Sequence, residues 1–169
     1  MIWLLVIVTA ILVLFSSVLF FGAPFLPTLS PRIEDALDLL DLEPGQKLYE
    51  LGSGDGRVLK AAAKRGIRAI GYEINPILVL FSKIYTWPER RLVSIHWKNY
   101  WHTSLAPADG LYVFLLDRYM AKLWSKIEID LDHPLKMVSY AFAVPDVVPK
   151  MVRNGVKLYE FRPSKRSKG

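Results

Sequence analysis

Residues 49–56 read YELGSGDG, three glycines in five positions between an apolar run and a helical pattern. The spacing predicts a strand at 47–51 and a helix from about 57 to 65, closed by Gly66, so the glycines form a strand-to-helix turn. Outward from this turn the alternation continues. Strands are expected at 68–73, 92–97, 111–116 and around 136–142, with helices at 76–86, opened by Asn75 and Pro76, and near 118–127. Ahead of the turn, Ser30 and Pro31 read as an N-cap and a first-turn proline. Ile33, Leu37 and Leu40 share one face of a short helix that should end at Pro44 and Gly45. Asn154 and Gly155 separate runs at 150–153 and 156–161 as a type I′ hairpin would. Strand and helix in alternation predict an α/β fold, a Rossmann-like, mostly parallel sheet with helices on both faces.

Hydropathy divides the chain more sharply than any loop. Ile2 to Phe21 holds no charge and no proline, and at about 1.5 Å per residue it would reach roughly 30 Å, the thickness of a bilayer's hydrocarbon core. No Lys or Arg precedes the run, and no small-residue cleavage site follows before Pro24, so a retained anchor is expected in preference to a cleaved signal peptide. The first charge is Arg32, so all 22 basic and 16 acidic residues, with their balance of +6, follow the run. Positive charge after the span predicts a single-pass protein with its C-terminal domain on the cytoplasmic side. The expected organisation is an anchor at 1–23, a connector and pre-core helix at 24–45, a catalytic domain at 46–162 and a basic tail at 163–169. Without cysteine there is neither a disulfide framework nor a thiolate metal site.

The glycine turn departs from two phosphate-binding patterns. G-x-G-x-x-G would require glycine at position 57, which is Arg57, and the Gly-Lys-Ser/Thr ending of a phosphate loop is absent. Glu50 and Asp55 would also repel a diphosphate while suiting a cation. S-adenosylmethionine, with a sulfonium, an α-ammonium and no phosphate, meets that requirement.

The pattern formed by Glu50, Gly52, Gly54 and Gly56 resembles motif I of the class I, seven-strand methyltransferases. The resemblance implies that Glu50, Leu51, Gly52, Ser53, Gly54, Asp55 and Gly56 contact the cofactor, with Glu50 near its amino group. It also implies that Glu73, with Ile74 and Asn75, holds the ribose, and that Asn99 meets the adenine. The order PFLPT, ELGSGDGR, GYEINP, KNYW, VFLL and FAVPDVVP is similar to the small membrane-anchored protein lysine methyltransferases that modify the ATP synthase c subunit and the ADP/ATP carrier. One departure stands out: Asn99, Tyr100 and Trp101 replace the family's usual Asp-Leu-Trp.

The resemblance implies methyl transfer to a lysine of an integral membrane protein, with residues 2–21 in the bilayer. A neutral amine would have to be held about 3 Å from the methyl carbon, and burial against apolar surface lowers a lysine pKa toward that state. The lip of the cleft should comprise Pro27, Thr28, Asn99, Tyr100, Trp101 and Asp117. Of these Thr28, Asn99, Tyr100 and Asp117 are candidates for orienting the amine, and none is identifiable as a general base. Asp117 also reads as a helix cap, and Trp97, Trp101 and Tyr119 as an aromatic wall or ordinary packing. His96, His102 and His133 lack paired-ligand spacing, so no metal is expected; nor is nucleic acid, since acidic residues are mixed throughout. A methyltransferase acting on a lipid or quinone, or a non-catalytic membrane-tethered binding module, would share these features.

Overall fold

The computed structural model describes residues 2–9 and 28–163. Residues 2–9 are helical and, but for Thr9, apolar, and the rest of the expected anchor, with Pro27 and the tail from 164, lies outside the described residues. Among the described residues no helix is long and apolar enough to cross a membrane.

The remainder is a seven-stranded sheet with helices on both faces. In chain order the elements are α1 (Ser30–Leu40), β1 (Lys47–Leu51), α2 (Arg57–Lys64), β2 (Arg68–Glu73), α3 (Pro76–Tyr85), β3 (Val93–Trp97), β4 (Gly110–Val113), α4 (Asp117–Asp130), β5 (Leu135–Tyr140), β6 (Met151–Arg153) and β7 (Val156–Phe161). The sheet order is β3-β2-β1-β4-β5-β7-β6. The first five strands run parallel, whereas β7 is antiparallel to both neighbours. Asn154 and Gly155 both have positive φ, 51° and 82°, as a type I′ turn between β6 and β7 requires.

Alternation along the strands builds two cores. Leu48, Ala69, Tyr112 and Val138 face α1 and α2, which contribute Leu37, Leu40, Leu59 and Ala62. Tyr49, Leu111, Val113 and Met137 face the other way, onto Met120, Leu123 and Ile127 of α4. Strand order reverses between β1 and β4, so their carboxyl ends part and leave a crevice there.

Several boundaries differ from those the pattern predicts. Leu29 is the N-cap of α1, without a side-chain bond, and Ser30 is already helical. That helix stops at Asp41, whose left-handed backbone (φ 48°) sends its N–H to the Leu37 carbonyl, three residues before Pro44. β4 ends at Val113, level with Leu51, the last residue of its partner β1; residues 114–116 leave the sheet. β5 ends at Tyr140 because Ala141 turns the chain at φ 67°. Asp117 is the first residue of α4 and not its cap, which is Leu116. Its carboxylate therefore acts on the helix dipole.

Candidate functional site

The glycine turn closes over the carboxyl ends of β1 and β2. Gly52 and Ser53 donate their N–H groups to the Tyr72 carbonyl at 2.9 and 3.0 Å, which ties the turn to β2. Gly52 has φ 85°, a conformation that side chains disfavour, and a Cβ there would meet nothing within 4 Å. The turn thus exposes bare backbone to the crevice. Gly56 serves another purpose, since a Cβ would stand 3.0 Å from Ser82 Cβ and 3.1 Å from Thr86 Cγ2. It permits α3 to press against the start of α2.

Two buried carboxylates stand side by side beneath this turn. Glu73 ends β2 with both oxygens engaged: Gly54 N–H donates to Oε2 at 2.9 Å, and the N–H groups of Ile74 and Asn75 donate to Oε1 at 2.8 Å each. Of about four lone-pair positions, three are taken, leaving one on Oε2. Glu50, opposite Gly71 of β2 and Tyr112 of β4, is equally buried. Its Oε2 has no hydrogen-bond partner among the described residues. Burial pushes the Glu50 carboxyl well above the usual range, and the neighbouring charges of Asp55 and Glu73 push it further.

Asp55 departs from its expected role as a free negative charge. Arg57 Nη2 contacts its Oδ2 at 2.6 Å, and Arg57 Nε donates to both oxygens at 3.0 and 2.9 Å. The same guanidinium donates from Nη1 to the Thr28 carbonyl at 3.0 Å, so the pair fastens the connector to the turn. The Thr28 hydroxyl in turn shares a 2.8 Å hydrogen bond with Tyr112 Oη. The carbonyl and the hydroxyl of Thr28 thus both serve the fold.

The remaining expected residues fall into place unequally. Asn75 caps α3 through Oδ1, which accepts from Ile77 N–H at 2.9 Å, and so turns away from a ligand. Ile74 is partly exposed at the rim, and Leu51 is core. Asn99 is exposed, its Oδ1 accepting from Trp101 N–H at 3.0 Å with one lone pair to spare. Tyr100 is half-buried, and its hydroxyl is pushed up to about 12 by burial and by the charges of Tyr119 and Glu73. Tyr100, Trp101 and Tyr119 pack in sequence at 4.8 and 6.2 Å between ring centres. Trp97 stands apart from them, exposed, donating its indole N–H to the Ile74 carbonyl at 2.9 Å. Lys122 already lies over Trp101, 4.4 Å from its ring centre, and Arg118 over Tyr119 at 4.9 Å.

Sequence reasoning missed Gly71 and Arg57. A Cβ on Gly71 would fall 2.6 Å from both Leu59 Cδ1 and Ser53 Oγ, so the glycine makes room for the turn from the next strand. Only strand register reveals it. Arg57 was legible as the one cation adjoining the acidic turn.

Among the described residues the crevice presents acceptors: the unpartnered Oε2 of Glu50 and the free position on Glu73. A diphosphate brings only acceptors. S-adenosylmethionine brings an ammonium and two hydroxyls, so the donor set fits it, with Glu50, Glu73 and the bare backbone of Gly52 as the groups that would hold it.

Comparison with known proteins agrees with this chemistry. A family model described as the ANTKMT methyltransferase domain matches residues 50–151. The lysine N-methyltransferase of the ATP synthase c subunit from Rattus norvegicus is 32% identical over 128 residues, covering 75% of this chain and 59% of that protein. Adenine nucleotide translocase lysine N-methyltransferase of Mus musculus is 35% identical over 132 residues, covering 76% and 57%. The chain therefore spans less than three fifths of these relatives' length. A protein-lysine N-methyltransferase of Saccharolobus islandicus (strain REY15A) is 29% identical, covering 76% of this chain and 83% of that one. Among solved structures, an RNA methyltransferase from Salinibacter ruber in complex with S-adenosyl-L-homocysteine superimposes with a TM-score of 0.75 at 27% identity, covering 85% and 98%.

Proposed function

The chain belongs to the ANTKMT methyltransferase domain family, and from that membership we propose that it is an S-adenosylmethionine-dependent protein lysine methyltransferase acting on an integral membrane protein. The observation that carries the cofactor is Glu50, a buried carboxylate beside the glycine turn with one oxygen unpartnered among the described residues. The substrate rests on likeness to relatives named for lysines of the ATP synthase c subunit and of adenine nucleotide translocase. Residues 2–21 are proposed to hold the chain in the bilayer. Residues 2–9 support this, being helical, exposed and apolar except for Thr9, whose hydroxyl is satisfied by the Leu5 carbonyl at 2.8 Å. The basic excess that follows the run supports a cytoplasmic domain.

The cofactor, when bound, supplies an activated methyl group on a sulfonium. The chain's own residues position and desolvate. Three backbone N–H groups fix the Glu73 carboxylate before any ligand arrives, so little freedom is lost when it accepts a hydroxyl. Glu50 would supply the carboxylate for the cofactor's ammonium, the cation that its burial otherwise lacks. Tyr100 and Trp101 wall the side toward Asn99 with aromatic surface, which excludes water and favours the neutral form of an incoming amine.

The test incubates the full chain with radiolabelled cofactor and membranes from a strain lacking its gene. Label is expected on lysine of a small integral membrane protein. Label confined to extracted lipid, or to RNA, would overturn the substrate, and no label together with no cofactor binding would overturn the enzyme.

A further inference from the structure

The helix α3 is apolar on nearly every side yet buries little. Val79 and Ser82, with Thr86 just beyond, face the core. The opposite stripe, at helical spacing, carries Leu80, Phe81 and Ile84, exposed at 62%, 54% and 67%. Trp87, 63% exposed, extends the stripe past its C-terminal end, with the guanidinium of Arg90 at 4.8 Å from its ring centre. A patch of this kind on a soluble surface marks an interaction site.

Charge selects the partner. Between Ile74 and Lys98 the chain carries Lys83, Arg90, Arg91 and Lys98 against the single acid Glu89, whose carboxylate is turned toward Lys60 Nζ at 3.8 Å. Apolar side chains edged by cations, with tryptophan at the border, form the composition of a surface that lies in the headgroup region of an anionic bilayer. Position agrees with composition. Only eight residues, 22–29, separate the apolar run from α1, a reach of at most about 29 Å. Thr28 is bonded to Arg57, next to Gly56, which touches α3 through Ser82.

We propose that the outer face of α3, through Leu80, Phe81, Ile84 and Trp87, rests on the surface of an anionic bilayer and turns the β2–β3 side of the cofactor crevice toward the membrane. The tether length, the crevice's ligand and the substrate used in the turnover test rest on the function proposed above; the apolar, basic-edged face of α3 does not. Helix and rim are continuous, since α3 follows directly from Glu73, Ile74 and Asn75. A side chain offered at the membrane face would therefore meet the crevice without crossing bulk water.

The chain has no cysteine, so single-cysteine variants can carry an environment-sensitive dye. Ile84→Cys tests the face, and Glu128→Cys, exposed on α4 beyond the other side of the sheet, is the control. The full chain is reconstituted in vesicles of phosphatidylcholine mixed with phosphatidylglycerol. The dye at 84 is expected to shift to the blue and be quenched by nitroxide-labelled lipid, while the dye at 128 stays water-like. Pure phosphatidylcholine or high salt should reduce the shift. A water-like dye at 84 in protein that still floats with the vesicles overturns the proposal while leaving the anchor intact. So does a shift without vesicles that grows with protein concentration, which indicates a second copy of the chain, or one that requires an added protein substrate. Leu80→Glu with Ile84→Glu, both on exposed positions, is expected to leave cofactor binding unchanged and to lower turnover of the membrane-embedded substrate; unchanged turnover would count against it.

Discussion

Glu50, next to last in β1, and Glu73, last in β2, are both buried and lie under one turn, yet their surroundings are opposite. Glu73 receives three backbone N–H groups, whereas one oxygen of Glu50 receives nothing among the described residues. A carboxylate satisfied by backbone is a rigid part of the scaffold that also binds. One left unsatisfied is costly to ionise until a cation arrives, so it responds to ligand and to pH. Two acids that look alike in the sequence thus divide the work of rigidity and response.

The contrast is broken most severely at Glu73. Replacement by alanine removes an acceptor for the ligand and strands three N–H groups, so cofactor affinity measured by calorimetry should fall by about a hundredfold or more. A loss of only a few-fold would mean that the backbone cradle matters less than the turn itself.

Glu50→Gln sharpens the same contrast from the other side. Cofactor affinity should fall about tenfold, while the thermal midpoint without cofactor rises by about 2–4 °C, as relief of about 1 kcal/mol would give in a chain of this size. The sign follows from the raised pKa. Glu50 titrates higher folded than unfolded, so its stabilising contribution is full below the ordinary value of 4.5 and is lost as pH rises through the folded value. Binding of a cation favours the ionised form, so wild-type affinity should tighten with rising pH across that window. In the glutamine variant both slopes should flatten, and scanning fluorimetry with pH-resolved calorimetry reads them together.

Tyr100→Phe is the smallest change. With its hydroxyl pushed up to about 12, the phenol stays neutral through the working range. Affinity should drop by less than about threefold, with no change in the pH profile of turnover; a shifted profile would give that hydroxyl a proton-transfer role.

Much of the architecture was legible because local chemistry and global fold agree. Asn154 and Gly155 adopt the positive φ that their identities favour, and Asn75 caps the helix that it opens. Pairing limits were less legible. β4 stops where β1 stops, although the apolar run continues to Leu116. At the site, the glycine turn and Glu73 could be placed from spacing alone, but Asp55 read as a free charge because its pairing with Arg57 depends on a bend of the turn. Trp97 read as aromatic wall or ordinary packing and is neither, since the end of β3 leaves it exposed with its indole N–H on the Ile74 carbonyl.

Order along the chain determined the strand–helix alternation, the glycine turn and the presence of acids at the ends of β1 and β2. These depend on neighbours a few residues apart, and periodicity records them. Which acid would be saturated and which left bare, and which face of α3 would stay exposed, was decided only when β2 came to lie beside β1 and Gly56 let α3 close on the turn. Hydrogen-bond satisfaction and burial belong to groups distant in sequence, so no single segment contains them.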